Sequence, residues 1–187
     1  MSVTIAIKNM VCPRCIQAVE NFLKQTGVEV LSVDLGKATL AEMPDKRRLE
    51  GGLKNLGFEL LEDKKQQQIA QIKALIISLV QNQEAPLKYT LSSWLAKEMN
   101  MDYPSLSALF SSQEHLTIER FYIMQRMEKV KELLTYGEQN LKEIAWRLGF
   151  NSVAHLSGQF KKETGMTVSA FKEQVSRYHS LRKGIDF

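Results

Sequence analysis

Apolar residues in the first sixty positions switch between two periods. In "SVTIAIK" every second residue is apolar, which is the period of a half-buried strand. From Pro13 to about Lys24, Ile16, Val19, Phe22 and Leu23 recur at helical spacing, and Gly27 closes that helix. "VEVLSVDL" and "KATLAEM" read as two strands of a hairpin around Gly36. Residues 45–56, with Leu49, Leu53 and Leu56 in register, predict a second helix closed by Gly57, and "FELLE" predicts a last strand. From "DKKQQQ" onward no strand pattern recurs. Ile69, Ile72, Leu75, Ile76, Leu79 and Val80 mark a helix over 66–82 that continues from the preceding strand without a Pro or Gly break. Further helices are expected at 91–99, 103–112, 117–135, 141–149, 152–164 and 168–178, and "SLRKGIDF" is expected as a frayed tail.

The strand and helix order is βαββαβ, which predicts an N-terminal ferredoxin-like α+β domain over residues 1–63. An all-α domain over residues 64–187 follows, and the motif of helix, tight turn and helix occurs in it twice, at 91–112 and 141–164. The chain is 187 residues long with a net charge of +4, and the charge is unevenly spread. Residues 1–63 carry 8 Lys+Arg against 9 Asp+Glu, and residues 64–187 carry 17 against 12. A neutral front and a basic rear suit a sensor joined to a nucleic-acid binder, although ordinary surface charge accounts for the same numbers. No apolar run reaches the ~18 residues of a membrane span. The opening residues lack a signal-peptide pattern, so a cytoplasmic, reducing setting is expected.

The second unit reads "LKEIAWRLGFNSVAHLSGQFKKETGMTVSAFKEQV". Ile144, Ala145 and Leu148 form an apolar helix face, Gly149 and Phe150 make the turn, and Asn151 or Ser152 caps the next helix. Leu156 and Phe160 are expected in the core, as are Trp94 and Trp146. "IAWRLGF", "HLSGQFKKETG" and the aromatic in "SAFK" resemble the AraC/XylS signature. The resemblance reaches back over "LSSWLAKEMNMDYPSLSALFSSQEHLTIERF" and "RMEKVKELL". It implies a transcriptional regulator, not an enzyme, with two helices that each enter the major groove of double-stranded DNA. A connecting helix of roughly 18 residues spans about 27 Å, close to the ~34 Å between successive major-groove faces.

By that resemblance the first reading helix presents Tyr103, Pro104, Ser105, Ser107 and Ala108. The second reader presents Asn151, Ser152, Val153, Ala154, His155, Ser157 and Gly158, followed by Lys161 and Lys162. Family members often carry Arg or Gln where Ala108 and Gly158 stand here. Bidentate reading of guanine is therefore absent from those positions, and thymine-methyl, hydroxyl and shape readout are expected to matter more. Arg126, Lys161 and Lys162 are expected as phosphate contacts. His155 is weighed between a surface histidine and a base or phosphate contact. RNA polymerase and a second copy of the chain are the other partners considered.

Cys12 and Cys15 are the only cysteines, and they sit in "NMVCPRC" at the first strand–helix junction. With Gly27-Val28 after the helix and "LGF" before the last strand, this resembles the heavy-metal-associated domain of copper chaperones and copper-pumping ATPases. The resemblance implies Cu(I) or another soft metal ion at Cys12 and Cys15, with Met10 packing beneath the loop. The donor chemistry agrees, since two soft thiolates favour a soft monovalent ion and Zn(II) wants about four ligands. Other readings stay open: a thiol-redox sensor, a domain kept only for dimerisation or scaffolding, and a glutaredoxin-like oxidoreductase. The last of these lacks the expected proline and glycine landmarks.

Overall fold

In the computed structural model, which describes residues 2–183 and side chains through Arg177, the elements alternate at first and then become purely helical. Strand β1 (Val3–Lys8) leads through helix α1 (Pro13–Gln25) to strands β2 (Val30–Asp34) and β3 (Lys37–Leu40). Helix α2 (Lys46–Asn55) and strand β4 (Glu59–Leu61) complete this part. The helices that follow are α3 (Lys64–Asn82), α4 (Leu91–Met99), α5 (Tyr103–Glu114), α6 (Ile118–Tyr136), α7 (Leu141–Arg147), α8 (Val153–Thr164) and α9 (Val168–Lys183). Most boundaries fall within two residues of the expected ones. The frayed tail is the exception. Helix α9 continues to Lys183, and residues 184–187 lie outside the described residues.

The four strands form one sheet in the order β2-β3-β1-β4, and every pair is antiparallel. The period of two does its work in β1, where Ile5 and Ile7 are buried and Thr4 and Lys8 are exposed. These two side chains share a core with Ala38 and Leu40 of β3, Val19 and Leu23 of α1, and Leu49 and Leu53 of α2. Each fully buried Leu or Ile contributes about 1.5–3 kcal/mol relative to exposure. Leu56, expected on the same face, is instead 44% exposed, because the helix has ended and Leu56 is its C-cap.

Two glycines allow close approach. Gly36, at φ +80°, makes the β2–β3 turn, and a Cβ there would meet Ala74 Cβ of α3 at 3.3 Å. Helix α3 is thereby seated against the hairpin. On α2, a Cβ at Gly52 would lie 2.0 Å from a ring carbon of Phe22, whereas Gly51 beside it faces open space.

Helix α3 begins where β4 stops, with Asp63 Oδ1 accepting from the Gln66 N–H at 3.0 Å. Ile69, Ile72, Ala74, Ile76, Ile77 and Val80 are all buried, which is more than one helical face. The chain divides into two compact units, and the division falls inside α3. The first unit comprises Met1–Ser78 with Leu95–His115, and the second comprises Leu79–Trp94 with Leu116–Phe187.

Within the first unit, Gln68 Nε2 lies 3.3 Å from Met101 Sδ and Lys73 pairs with Glu114 of α5. Within the second unit, Met127, Val130 and Leu134 of α6 pack with Ile144, Ala145 and Leu148, and with Leu156 and Phe160 of α8. The segment after α3 is tied in by Arg147, whose Nε donates to Gln83 O at 2.7 Å and whose Nη2 meets Glu84 at 2.8 Å. Trp146, expected in the core, is 60% exposed, and Trp94 is half-buried. Ile144, Ala145 and Leu148 occupy the inner face of α7, and Trp146 lies two residues, roughly 200°, from Ile144.

The two glycines of α2 give a paired test. Gly51→Ala should raise the urea midpoint, worth about 0.5–1 kcal/mol of helix propensity. Gly52→Ala should lower it, because displacing the Phe22 ring costs about 1–3 kcal/mol. Equal rises in both variants, followed by far-UV circular dichroism, would contradict the packing described.

Candidate nucleic-acid interface and the cysteine pair

The second helix-turn-helix is built from strong local signals. Asn140 and Glu143 form a reciprocal capping box that starts α7. Gly149, at φ +70°, turns the chain. Phe150 then inserts into the core, and Ser152 Oγ accepts from the His155 N–H at 3.0 Å to start α8. On α8, Leu156 and Phe160 point inward. Ala154, His155, Gly158, Lys161 and Lys162 are exposed in one continuous row, with Val153 and Ser157 half-buried beside it. Asn151 and Ser152 are exposed at the head of the helix. The row therefore brings together small side chains, one imidazole and two ammonium groups at the C-terminal end.

The foot of α8 is fixed by an ion pair the sequence did not single out. Glu163 accepts from Arg120 of α6 and from Gln159. The Arg120 guanidinium, first, holds the Glu163 carboxyl below the usual carboxylate range.

The first helix-turn-helix carries an analogous row. Asp102 Oδ1 caps α5 by accepting from the Ser105 N–H at 2.9 Å, and this bond holds the Asp102 carboxyl below its ordinary range. Leu106 and Phe110 are buried, while Pro104, Ser105 and Ala108 are exposed and Tyr103 and Ser107 are half-buried. Ser112 extends the exposed row one turn beyond Ala108 and was missed, although its i,i+4 spacing was readable. No Arg or Lys occurs anywhere on α5.

Arg126, expected as a phosphate contact, lies against aromatic rings. Its guanidinium carbon sits 3.7 Å from the centroid of the Phe150 ring and 5.3 Å from that of Tyr122. Its Nε and Nη2 are buried without a hydrogen-bond partner among the described residues. Lys161 and Lys162, by contrast, are exposed as expected.

In the other compact unit, Cys12 is the N-cap residue of α1, with extended backbone (φ −155°, ψ 165°), and Pro13 holds the first helical position. The Cys15 N–H donates to Cys12 O at 2.9 Å, closing the first turn. That turn brings the two sulfurs to 3.3 Å. Cys12 is held below the ordinary thiol range, chiefly by its side-chain hydrogen bond with Cys15 and then by the Cys15 backbone N–H, with Arg14 adding less. Met10 is buried beneath the loop and Val11 is 55% exposed beside it. Among the described residues no group of three or more His, Cys, Asp or Glu side chains is assembled at any one place. Two sulfurs bound at ~2.3 Å to one ion would stand about 3.8–4.6 Å apart, so a metal would need only a small opening of this pair.

Residues 95–174 match a family of helix-turn-helix domains. Among solved structures, the chain resembles the C-terminal domain of AraT, a response regulator from Geobacillus stearothermophilus. Identity is 23%, over 60% of this chain and 88% of that one, with a TM-score of 0.51. It also resembles a Chromobacterium violaceum transcriptional regulator described as having an AraC-type DNA-binding domain. There the identity is 20%, over 59% of this chain and 93% of that one, with a TM-score of 0.51. At these identities the likeness concerns the fold. No curated protein matches the chain in sequence. Among the described residues no helix is long and apolar enough to cross a membrane.

The cysteine geometry predicts a specific alkylation profile. The rate at Cys12 should half-rise at a pH below that of an ordinary thiol, since a lowered pKa keeps thiolate present at lower pH. Cys15→Ala should move that midpoint upward further than Arg14→Ala. A larger effect from Arg14→Ala, read by pH-dependent iodoacetamide labelling and mass spectrometry, would refute the ordering of causes.

Proposed function

We propose that the chain is a sequence-specific, AraC/XylS-type DNA-binding transcription regulator, with α5 and α8 as its readers. The match of residues 95–174 to helix-turn-helix domains carries this reading. The exposed row of α8, ending in Lys161 and Lys162, supports it. The two lysines supply phosphate attraction, which positions the protein without specifying sequence. Ala154, His155, Ser157 and Gly158 supply a shallow surface suited to thymine methyls, to a single imidazole contact and to groove shape. The α5 row supplies hydroxyls and no positive charge, so its contribution is discrimination rather than affinity.

Residues 1–63 are read as a ferredoxin-like domain of the heavy-metal-associated type. The βαββαβ order, the antiparallel order β2-β3-β1-β4 and the cysteines at the first strand–helix junction support this. Cys12 and Cys15 would hold Cu(I) or another soft ion, which would supply a charge and a bridge between two sulfurs. The chain's own part is to present a lowered-pKa thiol at a helix N-terminus above a buried Met10. A second reading, sensing of thiol oxidation, is favoured by the same 3.3 Å sulfur separation. A peroxide would oxidise the Cys12 thiolate to a sulfenic acid, and Cys15 would then displace water to close a disulfide.

The test is anaerobic binding, at fixed salt, of the whole protein to a duplex it has selected from a random library. Specific selection is expected. Cu(I) should then shift affinity by about 5–150-fold, and the Cys12→Ser/Cys15→Ser protein should not respond. A protein that selects no sequence removes the regulator reading. Specific binding indifferent to Cu(I) removes the metal input, and a shift on peroxide treatment without metal favours the oxidation reading.

A further inference from the structure

We infer that Arg126 is a positioning residue for the second reading helix: its guanidinium clamps the Phe150 ring, which in turn sets the ring of His155, so that sequence discrimination by α8 depends on a cation that touches no DNA. This rests on the reading of α8 as a DNA reader.

The geometry excludes a bidentate phosphate grip. A guanidinium grips phosphate best through one of two forks, Nε with Nη2 or Nη1 with Nη2. Both forks require Nη2, and Nη2 and Nε are sealed from solvent without an acceptor among the described residues. No bidentate face of Arg126 is open to a phosphate. Burying these donors is unfavourable unless something else holds the cation, and the something else is visible. The guanidinium lies 3.7 Å over the Phe150 ring and 5.3 Å from the Tyr122 ring, within reach of both quadrupoles.

Phe150 is the turn residue between α7 and α8, and its own N–H donates to Ala145 O at 2.8 Å. One face of its ring is covered by the Arg126 guanidinium carbon, 3.7 Å from the centroid. Its ring also meets the His155 imidazole edge to face, with centroids 5.7 Å apart and planes at 78°. His155 is exposed, stands third in α8, and has its N–H bound to Ser152 Oγ. The backbone at His155 is thus fixed by the cap, and its ring is restrained by Phe150. Arg126 in α6, Phe150 in the turn and His155 in α8 form one line from the buried helix to the reading surface.

A phosphate ligand and a positioning residue differ in measurable ways. A lysine keeps the charge but cannot stack as a plane. Arg126→Lys should therefore fail to rescue, with preference for the library-selected duplex over a scrambled one falling at least tenfold. The slope of log affinity against log salt should stay at its wild-type value. On a Phe150→Leu background the same change should have little further effect, because the route runs through that ring. In the DNA-free proteins, the His155 ring proton signals should move in Arg126→Lys while far-UV circular dichroism is unchanged, which separates positioning from unfolding.

The inference is overturned if Arg126→Lys binds like wild type. It is also overturned if Arg126→Met weakens both duplexes equally and reduces the salt slope by about 0.9, the mark of one lost phosphate contact. Unmoved His155 signals would overturn it as well. A wild-type protein that prefers no sequence would instead remove the DNA reading on which the inference stands.

Discussion

Helix α3 has too many buried faces to be a linker. A helix that needed only to join two parts could be polar all round, or could carry one apolar stripe. This one buries Ile69, Ile72, Ile76 and Val80 along one line and Ala74 and Ile77 off it. Such a helix is stable only when it is covered on more than one side, and its neighbours must therefore be in place. Gly36 is one such requirement, because any side chain at the β2–β3 turn would press on Ala74. Asp63, which caps α3 directly after β4, is another. The compact units divide inside α3, between Ser78 and Leu79, so one continuous run of backbone hydrogen bonds belongs to both. A change that frays this helix removes a packing surface from each unit.

The helix surfaces proposed to read DNA follow a different economy of charge from the rest of the basic rear half. Helix α5 has no Lys or Arg, and α8 keeps its two lysines at its C-terminal end, where they also suit the helix dipole. The N-terminal half of α8, where base edges are met in helix-turn-helix readers, offers small side chains and one ring. A surface of this kind discriminates by fit and orientation, because it has few strong hydrogen bonds to place. Rigidity behind the surface then matters more than charge on it. The capping box at Asn140, the Ser152 cap and the Arg120–Glu163 pair each hold one end of the two helices.

Much of this was legible along the chain, and the failures are physically informative. Period-two and helical spacing located each element because the buried positions, such as Ile5 and Ile7 or Leu156 and Phe160, obey the local geometry. Trp146 was misassigned because an apolar residue on a helix was taken for a buried one, although Ile144, Ala145 and Leu148 already filled the inner face. Ser180 looked like the start of a tail because its neighbours are polar, yet α9 runs on to Lys183. The packing of Arg126 was hidden for a deeper reason. A cation in a basic helix reads as solvent-facing, and only the fold shows that Phe150, 24 positions later, lies beneath it. Pairings such as Arg120 with Glu163 leave no periodic mark either, since they join side chains far apart in sequence.

The cysteine pair is the place where one geometry supports two chemistries, and the balance between them is set by the hydrogen bond that joins the sulfurs. Lowering the Cys12 pKa increases the thiolate available at neutral pH, and thiolate is both the metal ligand and the nucleophile toward an oxidant. What separates the two uses is the fate of the contact between the two sulfurs. A soft ion held by Cys12 and Cys15, as proposed above, would take both sulfurs as thiolates in place of their mutual contact. Oxidation consumes Cys12 first and uses Cys15 as the resolving group, so the same contact is converted into a covalent bond. On the proposed metal reading the ion would have to replace the sulfur–sulfur hydrogen bond and open the pair slightly, whereas a disulfide would need the pair to close. Arg14 and the helix N-terminus favour the anion in either case.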